Sequence, residues 1–174
     1  GLVNELLKFC TTHYYPQLKQ RNEQALELVK IIIDKYIMLI VEWLRVGFIH
    51  GVMNTDNMSI VAETIDYGPC AFMDTYNPHA VFSYIDKYGR YAFNKQPSIA
   101  LWNIERFTQS LVGCMSKESK QAVKKLLTNF PNEFEKHYHT MLCAKIGLQP
   151  TKKHIKLAYE LLQWMYDNKA DYTN

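Results

Sequence analysis

Asp56, Asn57 and Asp66 are the residues of this chain whose types and spacing could do chemistry. They lie in the run His50-Gly51-Val52-Met53-Asn54-Thr55-Asp56-Asn57, followed nine residues after Asn57 by Asp66-Tyr67-Gly68. Two carboxylates and an amide are hard oxygen donors. Magnesium takes octahedral oxygen ligands and keeps waters and substrate phosphates in its shell. Asn57 and Asp66 could therefore hold a magnesium ion against a nucleotide triphosphate, with manganese as a substitute. Asp56, next to Asn57 in the loop, is the carboxylate best placed to accept a proton from an attacking hydroxyl. His50, followed by Gly51, suits an organising role in the backbone better than proton transfer.

The elements that must position these residues can be read from periodicity and punctuation. Leu2 to Phe9 predicts a short helix. From Asn22, a plausible N-cap, to Gly47, a plausible stop, residues Ala25, Leu28, Val29, Ile32, Ile33, Tyr36, Ile37, Ile40 and Leu44 fall at helical spacing. Met58–Val61 and Thr64–Tyr67 predict two short strands joined at Ala62-Glu63, a small β-hairpin that would bring Asn57 and Asp66 to one end. The aromatic stretch from Pro69 to Gln96 predicts an ordered loop. Further helices are expected at Ser98–Met115, Lys117–Asn129, Asn132–Lys145 and Lys152–Asn168, with Ser116 and Thr151 as caps, Pro131 near a start and Gly147 near a stop. The expected fold class is mainly α with one small β insertion.

At 174 residues and 48% hydrophobic, the chain can bury one core, so residues 1–174 are expected to form a single domain. The first residue, Gly1, and the last, Asn174, suggest a fragment of a larger protein. A net charge of +3 is mild, and the lysine clusters at 117–125 and 152–156 have the spacing of solvated helix faces. No nucleic-acid partner is expected on that ground. The longest apolar run, Tyr36 to Val41, is far short of a bilayer span, so no membrane partner is expected either. Cys10, Cys70, Cys114 and Cys143 are scattered without a C-x-x-C and read as reduced thiols of an intracellular protein. Arg90 suits either a phosphate or an ion pair with Asp86.

The first stretch also fits the protein-kinase pattern, in which H-R-D-x-x-x-x-N supplies a base and a metal-binding Asn, and D-F-G a metal-binding Asp. His50, Asn57 and Asp66-Tyr67-Gly68 match, whereas Val52 stands where the catalytic Asp belongs. More specifically, HGVMNTDNMS followed by TIDYGP, and later GRYAFNKQPSIALWNIERF, resemble selenoprotein O, a widespread pseudokinase family. The resemblance runs from about Asn22 to Gly147-Leu148 and on toward Asp171. It implies the C-terminal lobe of a protein-kinase-like fold, with the hairpin carrying the metal-binding residues.

It also implies a protein adenylyltransferase, which binds ATP in a flipped orientation and moves AMP to Ser, Thr or Tyr hydroxyls of target proteins. By the same motifs, Asp56 is similar to the family's base, and Asn57 and Asp66 to its magnesium ligands. The Gly-rich loop and the phosphate-binding Lys and Arg of an N-terminal lobe have no counterpart in this stretch, so the full-length parent is the expected active unit and the fragment alone is expected to be inactive. Where many members carry Cys-Asn-His-Ser-Asp, this chain has Phe82-Ser83-Tyr84-Ile85-Asp86, a departure at the cysteine that a redox latch would use, which leaves redox regulation open. The competing readings are a phosphotransferase of kinase-like fold, disfavoured by Val52, and an inactive pseudokinase that binds partners, disfavoured by the three retained oxygen donors. The resemblance sets localisation as cytoplasmic in a bacterium and mitochondrial in a eukaryote.

Overall fold

In the computed structural model, which describes residues 1–19 and 22–173, the apolar stripe from Ala25 to Leu44 becomes the spine of the core. The elements run α1 (Leu2–His13), a 3-10 turn at Pro16–Leu18, α2 (Gln24–Arg45), β1 (Phe48–Ile49), β2 (Ala71–Phe72), α3 (Gln96–Leu111), α4 (Lys117–Lys145) and α5 (Lys152–Asp167). All nine of the α2 residues expected to be apolar-periodic are buried. Helix α4 packs along α2 more extensively than any other pair of elements, with α3 beside them and α5 against α4. The mainly helical class is as expected. Among the described residues no helix is long and apolar enough to cross a membrane.

Local chemistry explains most of the boundaries. Ser116 and Thr151 cap α4 and α5, accepting hydrogen bonds from the backbone N–H groups of Ser119 and His154. Gly47 follows α2 at a φ of +73°. At the other end of α2 the expected cap moves. Asn22 lies outside the helix, and Glu23 occupies the N-cap in a left-handed conformation without capping through its side chain. Its carboxylate instead accepts a 2.6 Å hydrogen bond from the Ser119 hydroxyl, tying the starts of α2 and α4 together. That bond holds the Glu23 carboxyl below its ordinary pKa.

Two further expectations are corrected. Lys117–Asn129 and Asn132–Lys145 are one helix, with Pro131 inside it. Proline removes one N–H and crowds the preceding turn, but Phe130 and Phe134 are buried on either side of it, and packing against α2 outweighs the local penalty. The strands expected at Met58–Val61 and Thr64–Tyr67 do not form. Donors from outside take the backbone carbonyls that a strand partner would have used: Tyr36 Oη on Ser59, Tyr15 Oη on Ile60 and Lys35 Nζ on Val61. Ala62 and Asp66 each adopt a φ of +55°, which breaks extended geometry twice. The hairpin lies outside that stretch: β1 and β2 pair antiparallel, Phe48 opposite Phe72 and Ile49 opposite Ala71, and all the candidate residues sit in the loop between them.

The end of the described chain locks this hairpin to the helices. Tyr172 is buried, donates from its hydroxyl to the Leu44 carbonyl at 2.7 Å, and stacks on Tyr76 at 5.3 Å. Its backbone N–H donates to Asp74 O, and Tyr76 N–H donates to Ala170 O. Gly47 lies under the Tyr172 ring, where a Cβ would come within 2.9 Å of the ring. Gly47→Ala therefore combines a steric clash with a disfavoured φ, and should cost about 1–3 kcal/mol. An unchanged thermal midpoint would contradict this packing.

Burial also raises the Tyr76 phenol from its ordinary 10.0 to about 12, and pushes Tyr172 and Tyr138 up as well. Because the folded state favours the neutral phenol, this contribution is fully present below pH 10.0 and fades as pH rises toward 12. Tyr76→Phe should move the alkaline unfolding midpoint upward in a pH titration followed by circular dichroism. A downward or null shift would count against it.

Candidate active site

The loop between β1 and β2 has little regular structure of its own, and one buried side chain joins its two halves. The His50 ring accepts the Val52 N–H at Nδ1, 3.3 Å away, and its Nε2 lies 2.8 Å from the Ile65 carbonyl. The tautomer with hydrogen on Nε2 satisfies both bonds. His50 thus fastens the start of the first motif to the residue immediately before Asp66. Its ring is buried against Trp43, with centroids 5.5 Å apart, and the Trp43 indole N–H donates to the Thr64 hydroxyl. Gly51, at a φ of +85°, allows Pro69 to approach so closely that a Cβ would meet its ring at 3.1 Å and its carbonyl at 3.2 Å.

Helix α3 supplies the second support. The Gln96 side chain accepts from His50 N–H at 3.0 Å and donates to Phe48 O at 2.9 Å, acting as a substitute strand edge beside β1. Two turns further on, Asn103 Nδ2 donates to Met53 O at 2.9 Å and to Ile99 O at 3.0 Å. Tyr91 donates its hydroxyl to Asn54 Oδ1 at 2.6 Å. Asn54 in turn begins the single 3-10 turn, Thr55–Asn57, that carries Asp56 and Asn57.

Asp56 and Asp66 are exposed, and neither carboxylate accepts a hydrogen bond from the described residues. Asn57 is half-buried and donates from Nδ2 to Val52 O at 2.9 Å, while its amide oxygen accepts no hydrogen bond from the described residues. A continuous series of contacts, Asn57 to Val52, Val52 to His50 and His50 to Ile65, therefore connects the three oxygen donors through bonded backbone. Among the described residues no group of three or more His, Cys, Asp or Glu is arranged for a metal ion. A carboxylate with an amide oxygen nevertheless suits magnesium, which draws the rest of its shell from water and phosphate.

Arg90 forms no ion pair with Asp86. The Asp86 carboxylate accepts the backbone N–H groups of Arg90 and Tyr91, at 2.8 and 2.7 Å, and the Arg90 guanidinium lies over the Trp102 ring. Gln96 and Asn103 were not anticipated as supports of the loop. Their signal was present as two amides within the buried stripe Gln96, Ile99, Ala100, Asn103, Ile104 of α3.

The profile of the family described as protein adenylyltransferase SelO matches residues 1–174. The chain belongs to the SelO family. It is similar to the protein nucleotidyltransferase YdiU of Pelagibacter ubique, with 49% identity over 97% of this chain and 36% of the relative. The YdiU proteins of Maridesulfovibrio salexigens and Syntrophotalea carbinolica are each 44% identical over nearly all of this chain. The chain spans about a third of the length of these curated relatives. Within this SelO-family stretch, the loop depends on Gln96 for two backbone partners. Gln96→Leu should destabilise the protein by about 1–3 kcal/mol for each buried group left unpaired. A urea midpoint equal to that of the unsubstituted protein would show that β1 does not need the amide.

Proposed function

We propose that this chain is the kinase-like C-terminal lobe of a protein adenylyltransferase, which moves AMP from ATP to a Ser, Thr or Tyr hydroxyl of a target protein. The observation that carries the reading is that His50 fastens together two loop segments, each presenting an exposed carboxylate, while Val52 leaves the intervening position with no proton acceptor. The description of the family and the names of the relatives, protein nucleotidyltransferases, fit the same chemistry. Since the chain spans 36% of the Pelagibacter relative, the full-length protein is taken as the unit of activity.

Asp56 accepts the proton of the acceptor hydroxyl as that oxygen attacks the α-phosphorus. The new oxygen–phosphorus bond forms as the bond from the α-phosphorus to the bridging oxygen breaks, and pyrophosphate leaves with both electrons of that bond. Asn57 and Asp66 are the residues that would hold magnesium, or manganese in its place, and the ion would supply positive charge to offset that of the phosphates. Asn57 presents its amide oxygen because its nitrogen is committed to Val52. Asp66 is held at its turn by the bond from Gly68 N–H to its carbonyl, 2.7 Å long. Val52 suits transfer at the α rather than the γ phosphorus, because no group in its side chain takes up a proton.

In the full-length parent, Asp66→Ala should abolish magnesium-dependent ATP affinity in calorimetry, whereas Asp56→Ala should keep that affinity and slow transfer by roughly 10²–10⁴-fold. Unchanged affinity in the first variant would remove Asp66 from the metal site. Collapsed binding in the second would make Asp56 a ligand or a loop organiser, not a base.

A further inference from the structure

Beside the candidate site runs a groove of about 600 Å³, walled on one side by Val52 and Asn54 and on the other by the segment from Ile85 to Tyr91. Three cations line it, Lys87, Arg90 and Lys95, against the single carboxylate of Asp86. That carboxylate is committed to the backbone N–H groups of Arg90 and Tyr91. Arg90 is held between aromatic faces, 4.8 Å from the Trp102 centroid and 5.8 Å from that of Tyr91, and pairs with no acid among the described residues.

The outer wall also displays large side chains to solvent. Tyr88 is 98% exposed, Tyr84 93% and Ile85 74%. They stand on successive turns closed by Asp86 N–H to Ser83 O and Gly89 N–H to Asp86 O, with Gly89 at a φ of +64°. Exposed aromatic anchors beside unpaired cations are the composition of a protein-recognition surface. The Tyr91 hydroxyl bonded to Asn54 links this wall to the turn that carries Asp56.

We propose that this groove receives the acceptor segment of the target protein and selects one with acidic residues flanking the hydroxyl. The inference rests on the transfer reading above. Carboxylates of the incoming segment pair with Lys87, Lys95 and Arg90, Tyr88 covers its backbone, and the hydroxyl is delivered along the Asn54 wall toward Asp56. Charge complementarity of this kind governs choice of partner and rate of encounter.

The test uses the full-length parent, magnesium, ATP labelled at the α phosphorus, and three synthetic peptides with one serine flanked by Asp and Glu, by Ala, or by Lys. The acidic peptide should be labelled with the highest kcat/KM. Lys87→Glu with Lys95→Glu should lower that value on the order of tenfold and favour the lysine peptide, with magnesium–ATP affinity unchanged in calorimetry. Tyr88→Ala should raise KM for all three peptides.

Equal labelling of the three peptides, or an acidic preference that survives the charge reversal, would overturn the groove assignment and leave the transfer reading standing. Labelled protein targets alongside an unlabelled peptide set would overturn it in the same way. Protection of Lys87 from acetylation in the parent without acceptor would also overturn it, because the protein's own remaining chain would then fill the groove. Absence of α label on any acceptor would sink the transfer reading and this inference together.

Discussion

The buried imidazole of His50 is the constraint on which the candidate site depends. The ring makes two bonds of opposite sense, accepting at one nitrogen from Val52 and donating at the other to Ile65. Each fixes one arm of a long loop whose ends are paired at the two-residue strands of β1 and β2. Because both nitrogens are committed, the ring is a fastener and has no capacity left to move a proton between substrate and solvent. In the proposed transfer the proton acceptor is Asp56, which is exposed and whose carboxylate accepts no hydrogen bond from the described residues.

The rest of the loop is held by a related device. Its backbone forms few bonds with itself, and polar groups on the side that faces the helices must be satisfied from elsewhere. Side chains from the helices provide the partners: Tyr36 and Lys35 from α2, Gln96 and Asn103 from α3, and Tyr15 from the turn after α1. An amide or hydroxyl inside a helix's apolar stripe would be costly if unpaired. Here each meets a carbonyl or N–H that has no strand partner. The helical core and the site thus stabilise one another, and rigid helices position groups that a free loop could not hold.

Periodicity made α2 and its burial pattern legible, because nine apolar residues at helical spacing leave few alternatives. Ser116 and Thr151 were legible as caps for the same reason, since short polar side chains before a periodic run have a defined local task. Long-range competition was not legible. Met58–Val61 has strand composition, yet its carbonyls are claimed by Tyr15, Tyr36 and Lys35, whose reach no local pattern reveals. Pro131 reads as a boundary until α2 is seen packing across it. At the site, the types and order of Asp56, Asn57 and Asp66 were readable. The role of Gln96 required knowing that α3 lies beside β1.

The most direct test of adenylyl transfer is to incubate the full-length parent and a protein acceptor with magnesium and ATP labelled at either the α or the γ phosphorus. Covalent α label on the acceptor without γ label is the expected result, with Val52 unable to serve as the base of an ordinary kinase. Covalent γ label would contradict it, because the chain would then be a phosphotransferase that manages without an acid at position 52.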